Sequence, residues 1–153
     1  QDGFGATDTL QNIEDVRGSR SFGDFLLGND NANTLEGDDG NDTLIGTSGN
    51  NTLLGGAGND NIDGSESADQ SMDAVDTAVY LAQAGLDSTD FSFVDGAFTV
   101  STVTGGVDIL VNIEKVESLN ISEDDIFFFI DPITNWPIGI EKIKGFFACS
   151  SRL

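Results

Sequence analysis

Between residues 37 and 64 a glycine returns every nine positions, at Gly37, Gly46, Gly55 and Gly64, and each of the first three is followed seven residues on by Leu44, Leu53 or Ile62. An amphipathic helix repeats its apolar residues near every third or fourth position and a half-buried strand at every second; a period of nine with one apolar residue is neither. Aligned in nines, five rows appear: SRSFGDFLL (19–27), GNDNANTLE (28–36), GDDGNDTLI (37–45), GTSGNNTLL (46–54) and GGAGNDNID (55–63). A sixth, GSESADQSM (64–72), keeps the opening glycine and an Asp at place six but loses the apolar place eight. Place six reads Asp24, Asn33, Asp42, Asn51, Asp60, Asp69, and place eight reads Leu26, Leu35, Leu44, Leu53, Ile62. Such a repeat describes a solenoid whose units stack. The Gly/Asn/Asp-rich part of each unit suits a turn, where positive φ and short polar side chains are needed. The remaining residues suit a short strand with its middle side chain inward. Two turns and two strands close a coil of 18 residues, so place-six residues stack in two edges, Asp24–Asp42–Asp60 and Asn33–Asn51–Asp69.

Charge narrows the partners. The chain has 27 acidic and six basic residues, a net charge of −21, and no histidine. That surface repels nucleic acid and anionic membrane and attracts cations. No run of about 18 apolar residues is present, so membrane insertion is not expected. Without histidine there is neither a histidine-based triad nor an H-E-x-x-H zinc site, and nothing in the sequence places two carboxylates across a cleft. The chain is not expected to be an enzyme. The lone Cys149 excludes an intramolecular disulfide. The opening QDGFGATDTL has no initiating Met and no signal-peptide pattern, which suggests a fragment or a processed piece. The sequons NDT (41–43), NNT (50–52) and NIS (120–122) read as chance, two of them being part of the repeat.

The rows resemble the glycine-rich nonapeptide GGxGxDxUx of the repeats-in-toxin (RTX, or hemolysin-type calcium-binding) family. GGAGNDNID fits every fixed place and GDDGNDTLI all but one. The flanks are similar to that family too. DTLQNIE (8–14) and DILVNIE (108–114) share D-x-L-x-N-I-E, and segments like DTAVY and FTV commonly follow such repeats. The resemblance implies a right-handed parallel β-roll followed by a small β-rich flanking module, an all-β chain. Strands are predicted near 76–81, 91–94, 97–103 and 109–117.

The residues themselves ask for a cation. A core of five Leu/Ile is small for a segment of this length, and stacking carboxylates along one edge opposes folding. The turns offer only oxygen donors, which suits calcium; zinc lacks its His and Cys ligands, and magnesium prefers to keep its water. The family resemblance implies the ligands. One ion takes the carbonyls of Asp38 and Gly40, the Asp42 carboxylate, the carbonyls of Gly55 and Ala57, and the Asp60 carboxylate. A second on the same edge takes Arg20, Phe22, Asp24, Gly37, Asp39 and Asp42, although its first row lacks glycine at places one and four. The alternative for each of these Asp residues is a plain turn role. On the other edge Asn33 and Asn51 replace the acids, and a side-chain amide ladder is expected there.

Four regions follow: 1–18, the end of a preceding module or a cap; 19–72, the calcium-binding roll; 73–123, the β-rich flank; and 124–153, a tail. The tail holds five of the eleven Phe, both Pro, the only Trp and the only Cys. It is read as core, as a docking or secretion signal, or as an altered gene end. The expected function is a calcium-binding module that folds on binding its ion, part of a larger secreted, extracellular bacterial protein. The family resemblance implies export by a one-step (type I) secretion system. The alternatives are a spacer or partner-binding segment of an extracellular adhesin, and a non-catalytic fragment of a secreted hydrolase or toxin.

Overall fold

Places seven to nine of each repeat, such as Thr43–Ile45, become a strand with the middle side chain inside. The computed structural model describes residues 12–65, 74–81, 90–94, 97–102, 106–119, 126–131 and 136–142. The repeats give β1 (Asp15–Arg17), β2 (Phe25–Leu27), β3 (Thr34–Asp39), β4 (Thr43–Ile45), β5 (Thr52–Ala57) and β6 (Asn61–Asp63). After them come β7 (Thr77–Leu81), β8 (Phe91–Val94), β9 (Ala97–Thr102), β10 (Gly106–Val111), β11 (Lys115–Leu119), β12 (Ile126–Asp131) and β13 (Trp136–Lys142). The described residues are all strand and turn, with no helix.

Alternate strands go to opposite sheets, as a two-strand coil requires. One sheet has the order β1-β3-β5-β7-β11-β12-β13 and the other β2-β4-β6-β10-β9-β8. Pairing is parallel from β1 to β11 in the first sheet and from β2 to β10 in the second. The chain is therefore a parallel β-roll, closed by antiparallel strands. Registers match like with like: Val16, Leu35, Leu53, Ala78 and Val116 form one inward column. Leu26, Leu44, Ile62 and Leu110 form the facing one. Leu35, Leu44, Leu53, Leu110 and Val116 are fully buried, and Phe98, Val100, Ile113 and Tyr80 complete the cluster. Burying each such side chain contributes roughly 1.5–3 kcal/mol.

Two details differ from the sequence reading. The single strand expected over 109–117 is two strands, β10 and β11, which lie in different sheets. Asn112, with φ of 51°, turns the corner between them in a left-handed conformation that Asn tolerates. Asn12, in the other copy of N-I-E, has φ of 55° and turns an equivalent corner into β1. Second, β3 and β5 run on into the part of the repeat read as turn, and Asp38 and Asp39 pair with Gly56 and Ala57. That extension needs coils in close contact. At Gly56 and Gly58, both at positive φ, any Cβ would collide with the carbonyls of Asp38 and Gly40 in the coil before.

Both sheets continue past residue 72, through β7 and β11 in one and β10 in the other. β12 pairs antiparallel with β11 and covers its outer edge. At the opposite end β1 and β2 are the terminal strands, and Phe22, Phe25 and Leu27 are exposed there. Arg17 ties β1 to β3, its guanidinium donating from Nε and Nη2 to the Asp38 carboxylate at 2.6 Å each. Residues 1–11, with the D-x-L part of the first flanking motif, Asp69, the 120–122 sequon and Cys149 lie outside the described residues.

Candidate metal centre

The period of nine brings place six to the same corner of every coil, just before a strand begins. On one edge this makes a column of Asp24, Asp42, Asp60 and, beyond the expected three, Asp108. The Asp24 N–H donates to Asp42 Oδ1 at 2.7 Å, that of Asp42 to Asp60 Oδ1 at 2.9 Å, and that of Asp60 to Asp108 Oδ1 at 3.0 Å. Each main-chain carbonyl in turn accepts from the next coil: Asp24 from Thr43, Asp42 from Asn61 and Asp60 from Ile109, all at 2.8 Å. One oxygen of each carboxylate is thereby used. The other, Oδ2 of Asp42, Asp60 and Asp108, is buried with no hydrogen-bond partner.

An unpartnered buried carboxylate oxygen is costly. Burial, the largest influence, pushes the Asp60 carboxyl up to about 6 and that of Asp108 to about 7, against an opposing backbone hydrogen bond in each case. The Asp42 carboxyl is raised by burial too, with Asp24, Asp38 and Asp39 adding to the rise. The column thus favours a neutralising partner, either a proton or a cation.

The place-one glycines make room for this column. A Cβ on Gly37 would strike Asp42 Oδ2 and the Gly55 carbonyl, and one on Gly55 would strike Asp60 Oδ2. Gly37 thus lies against the Asp42 carboxylate and the Gly55 carbonyl, and Gly55 against the Asp60 carboxylate. The carbonyls of Asp38 and Gly40 point at Gly56 and Gly58 of the following coil. The Ala57 carbonyl accepts the Gly40 N–H at 2.8 Å. Asp39 is exposed, and the Asp38 side chain is held by Arg17, which keeps its carboxyl below the usual range.

The first row needs correcting. It does not open at Ser19: Gly18 lies beneath the Asp24 carboxylate and against the Gly37 carbonyl, the place taken by Gly37 and Gly55 in later coils. Only a residue without Cβ fits under that carboxylate, so the unit is one residue longer and Arg20 lies in the lengthened part of the turn. Phe22 keeps its expected level, since its carbonyl abuts Gly40 as that of Gly40 abuts Gly58. Asp24 Oδ2 accepts the Ser19 N–H at 2.5 Å.

On the second edge the stack is Asn33, Asn51, Asp76 and Glu114. Their N–H groups donate upward in the same way, Asn33 to Asn51 Oδ1 at 2.9 Å, Asn51 to Asp76 Oδ1 at 2.8 Å and Asp76 to Glu114 Oε2 at 2.8 Å. Asp76 holds the level that a strict period assigned to Asp69. The expected amide-to-amide ladder does not form, because each amide oxygen is taken by a main-chain N–H. The Asn51 Nδ2 donates instead to Gly49 O at 3.1 Å, Asp76 Oδ1 at 3.0 Å and Ser48 O at 3.4 Å. Its amide thus serves the turn carbonyls at places three and four. An Asp at that corner has no N–H to give them, which is the chemical difference between the edges.

Sequence reasoning missed Gly18, Asp76, Asp108 and Glu114. A signal was present: Asp108-Ile-Leu110 and Asp76-Thr-Ala78 repeat the acid-x-apolar frame of Asp42-Thr-Leu44. Among the described residues no three Asp, Glu, His or Cys side chains converge on one point; the oxygens at this edge are those of stacked carboxylates and of main-chain carbonyls. Calcium is the ion that such an oxygen set fits.

A parallel roll with stacked aspartates and closely packed turn glycines defines a calcium-binding repeat module. Residues 20–53 and 45–70 match the RTX calcium-binding nonapeptide repeat, in four copies, and this part of the chain is an array of those repeats. A comparison with curated proteins finds no match. No helix among the described residues is long and apolar enough to cross a membrane.

Proposed function

We propose that the Asp24–Asp42–Asp60 edge holds calcium between successive coils and that the roll folds when it does so. The Asp38 and Gly40 carbonyls, the Asp42 carboxylate, the Gly55 and Ala57 carbonyls and the Asp60 carboxylate make the better set. Arg20, Phe22, Asp24, Gly37, Asp39 and Asp42 make the second, with the shifted Arg20 its weakest member. Calcium supplies positive charge and tolerates many oxygen ligands. Asp42 and Asp60 meanwhile keep the N–H of the coil before them satisfied and hold the turns at one spacing. The observation that carries this reading is the row of buried, unpartnered Oδ2 atoms along this edge. Coupled binding and folding suits a non-catalytic module of a larger secreted protein, kept unfolded where calcium is scarce and folding outside the cell. Far-ultraviolet circular dichroism tests it. The chain in chelator should lack most of its β-signal and gain it on adding calcium; a full β-spectrum in chelator refutes the coupling.

A further inference from the structure

Beyond the repeats, Gly106–Asp108 stacks on Gly58–Asp60 as the next level of the edge, with Val107 where the repeats have Asn41 and Asn59. The Gly58 carbonyl abuts Gly106 as the Gly40 carbonyl abuts Gly58. The Val107 N–H donates to Asn59 Oδ1 at 2.8 Å, just as the Asn59 N–H donates to Asn41 Oδ1 at 2.9 Å. Asp108 then receives the Asp60 N–H, and Leu110 stacks on Ile62. This level is reached by a chain excursion of 48 residues and lies outside the matched repeats. The three residues before Gly106, 103–105, lie outside the described residues. β7 brings to this level Tyr80, which is 5% exposed and whose hydroxyl faces the Asp108 carboxylate without a well-formed hydrogen bond. Asp108 is 0% and Asp60 2% exposed, and Oδ2 of each has no partner.

Resting on the calcium reading above, we propose a further cation site at this level, in which Asp60 Oδ2, Asp108 Oδ2, the Gly58 carbonyl and the Tyr80 hydroxyl hold a hard divalent cation. Its oxygens come from the repeat array, from β7 and from β10. The cation therefore fastens the flank to the roll rather than one coil to the next.

Tyr80 is the only tyrosine, and Trp136 the only tryptophan, in the chain. In the full chain carrying Trp136→Phe, terbium replaces calcium and tyrosine excitation is used, so sensitised emission reports a cation next to Tyr80. Emission should be strong. Asp108→Asn should weaken it by about tenfold or more and lower calcium stoichiometry by one ion, since a charged ligand is lost. Asn at this corner still accepts the Asp60 N–H, as Asn51 accepts that of Asn33, so the variant has the means to fold. Unchanged emission and stoichiometry in Asp108→Asn overturn this site alone, as does a parent chain that takes up calcium but shows no sensitised emission. A parent chain that takes up no calcium overturns the underlying reading with it.

Discussion

At the corner of each coil, the choice between Asp and Asn exchanges a charged oxygen for an N–H pair. Asn51 spends that pair on Ser48 and Gly49 and so completes its own turn, whereas Asp42 and Asp60 keep a buried oxygen in need of charge. Calcium affinity should follow this difference. Asp42 and Asp60 each have an aspartate on both sides, so Asp42→Ala and Asp60→Ala should each cost tenfold or more, on the order of 1–3 kcal/mol per site. Asn51→Ala should affect calcium affinity least. Calorimetric titration of the three variants checks the order, and equal losses would mean that the edges are not chemically distinct. Protons should partly replace the ion. The folded carboxyls of Asp60 and Asp108 sit at about 6 and about 7, above the ordinary 3.8, so in chelator the folded state binds more protons than the unfolded one. Their contribution is fully present below the unfolded value and is lost as pH rises through the folded values. Lowering the pH of the calcium-free chain from about 7 to about 5 should therefore favour the roll, by on the order of 3 kcal/mol in all. The far-ultraviolet β-signal of the calcium-free chain at the two pH values measures this; a signal that rises with pH contradicts it.

Among the elements, the strands and the inward Leu/Ile columns were legible because a strict period sends the same residue type to the same corner. Legibility ended where the count of nine broke. The interval from Asn51 to Asp76 is 25 residues and from Asp60 to Asp108 is 48, so stacking joins residues that no fixed spacing connects. The lengthened first turn hid Gly18 for a similar reason, and the split between β10 and β11 turned on the one left-handed residue, Asn112. These additions alter what a truncation should do. Ending the chain after residue 72 removes Asp76 and Asp108, the acceptors for the N–H groups of Asn51 and Asp60. Each orphaned N–H costs about 1–3 kcal/mol, and the calcium-induced β-signal should be largely lost. Ending it after residue 123 removes β12 and β13, which pair only with β11 and each other, and should leave most of that signal. Dichroism titrations of both truncations decide; a chain ending at 123 that no longer responds to calcium would make the hairpin an obligatory cap.

For the whole molecule, a net charge of −21 on a chain with a thin core sets an electrostatic opposition to compaction that salt only screens. Calcium should contract the chain where an equal ionic strength of sodium chloride does not. Small-angle scattering in chelator, in salt and in calcium separates the two, and contraction in sodium chloride alone would show that screening suffices. The same corner contacts also have a polarity. Every place-six N–H is answered by a side chain of the coil that follows it in sequence, never by one that precedes it, on both edges. A coil therefore cannot finish its own corners; it waits for its C-terminal neighbour, and the last repeats wait for Asp76 and Asp108. The flank should then act as the seed of a one-way zipper, from which order spreads toward the amino terminus. In pulse-labelled hydrogen exchange after adding calcium, the amides of Asp60 and Ile109 should gain protection ahead of that of Asp24. A chain that reaches a calcium-rich medium with its carboxyl end in front would begin to fold at that leading end, and each coil arriving behind it would find its template already in place.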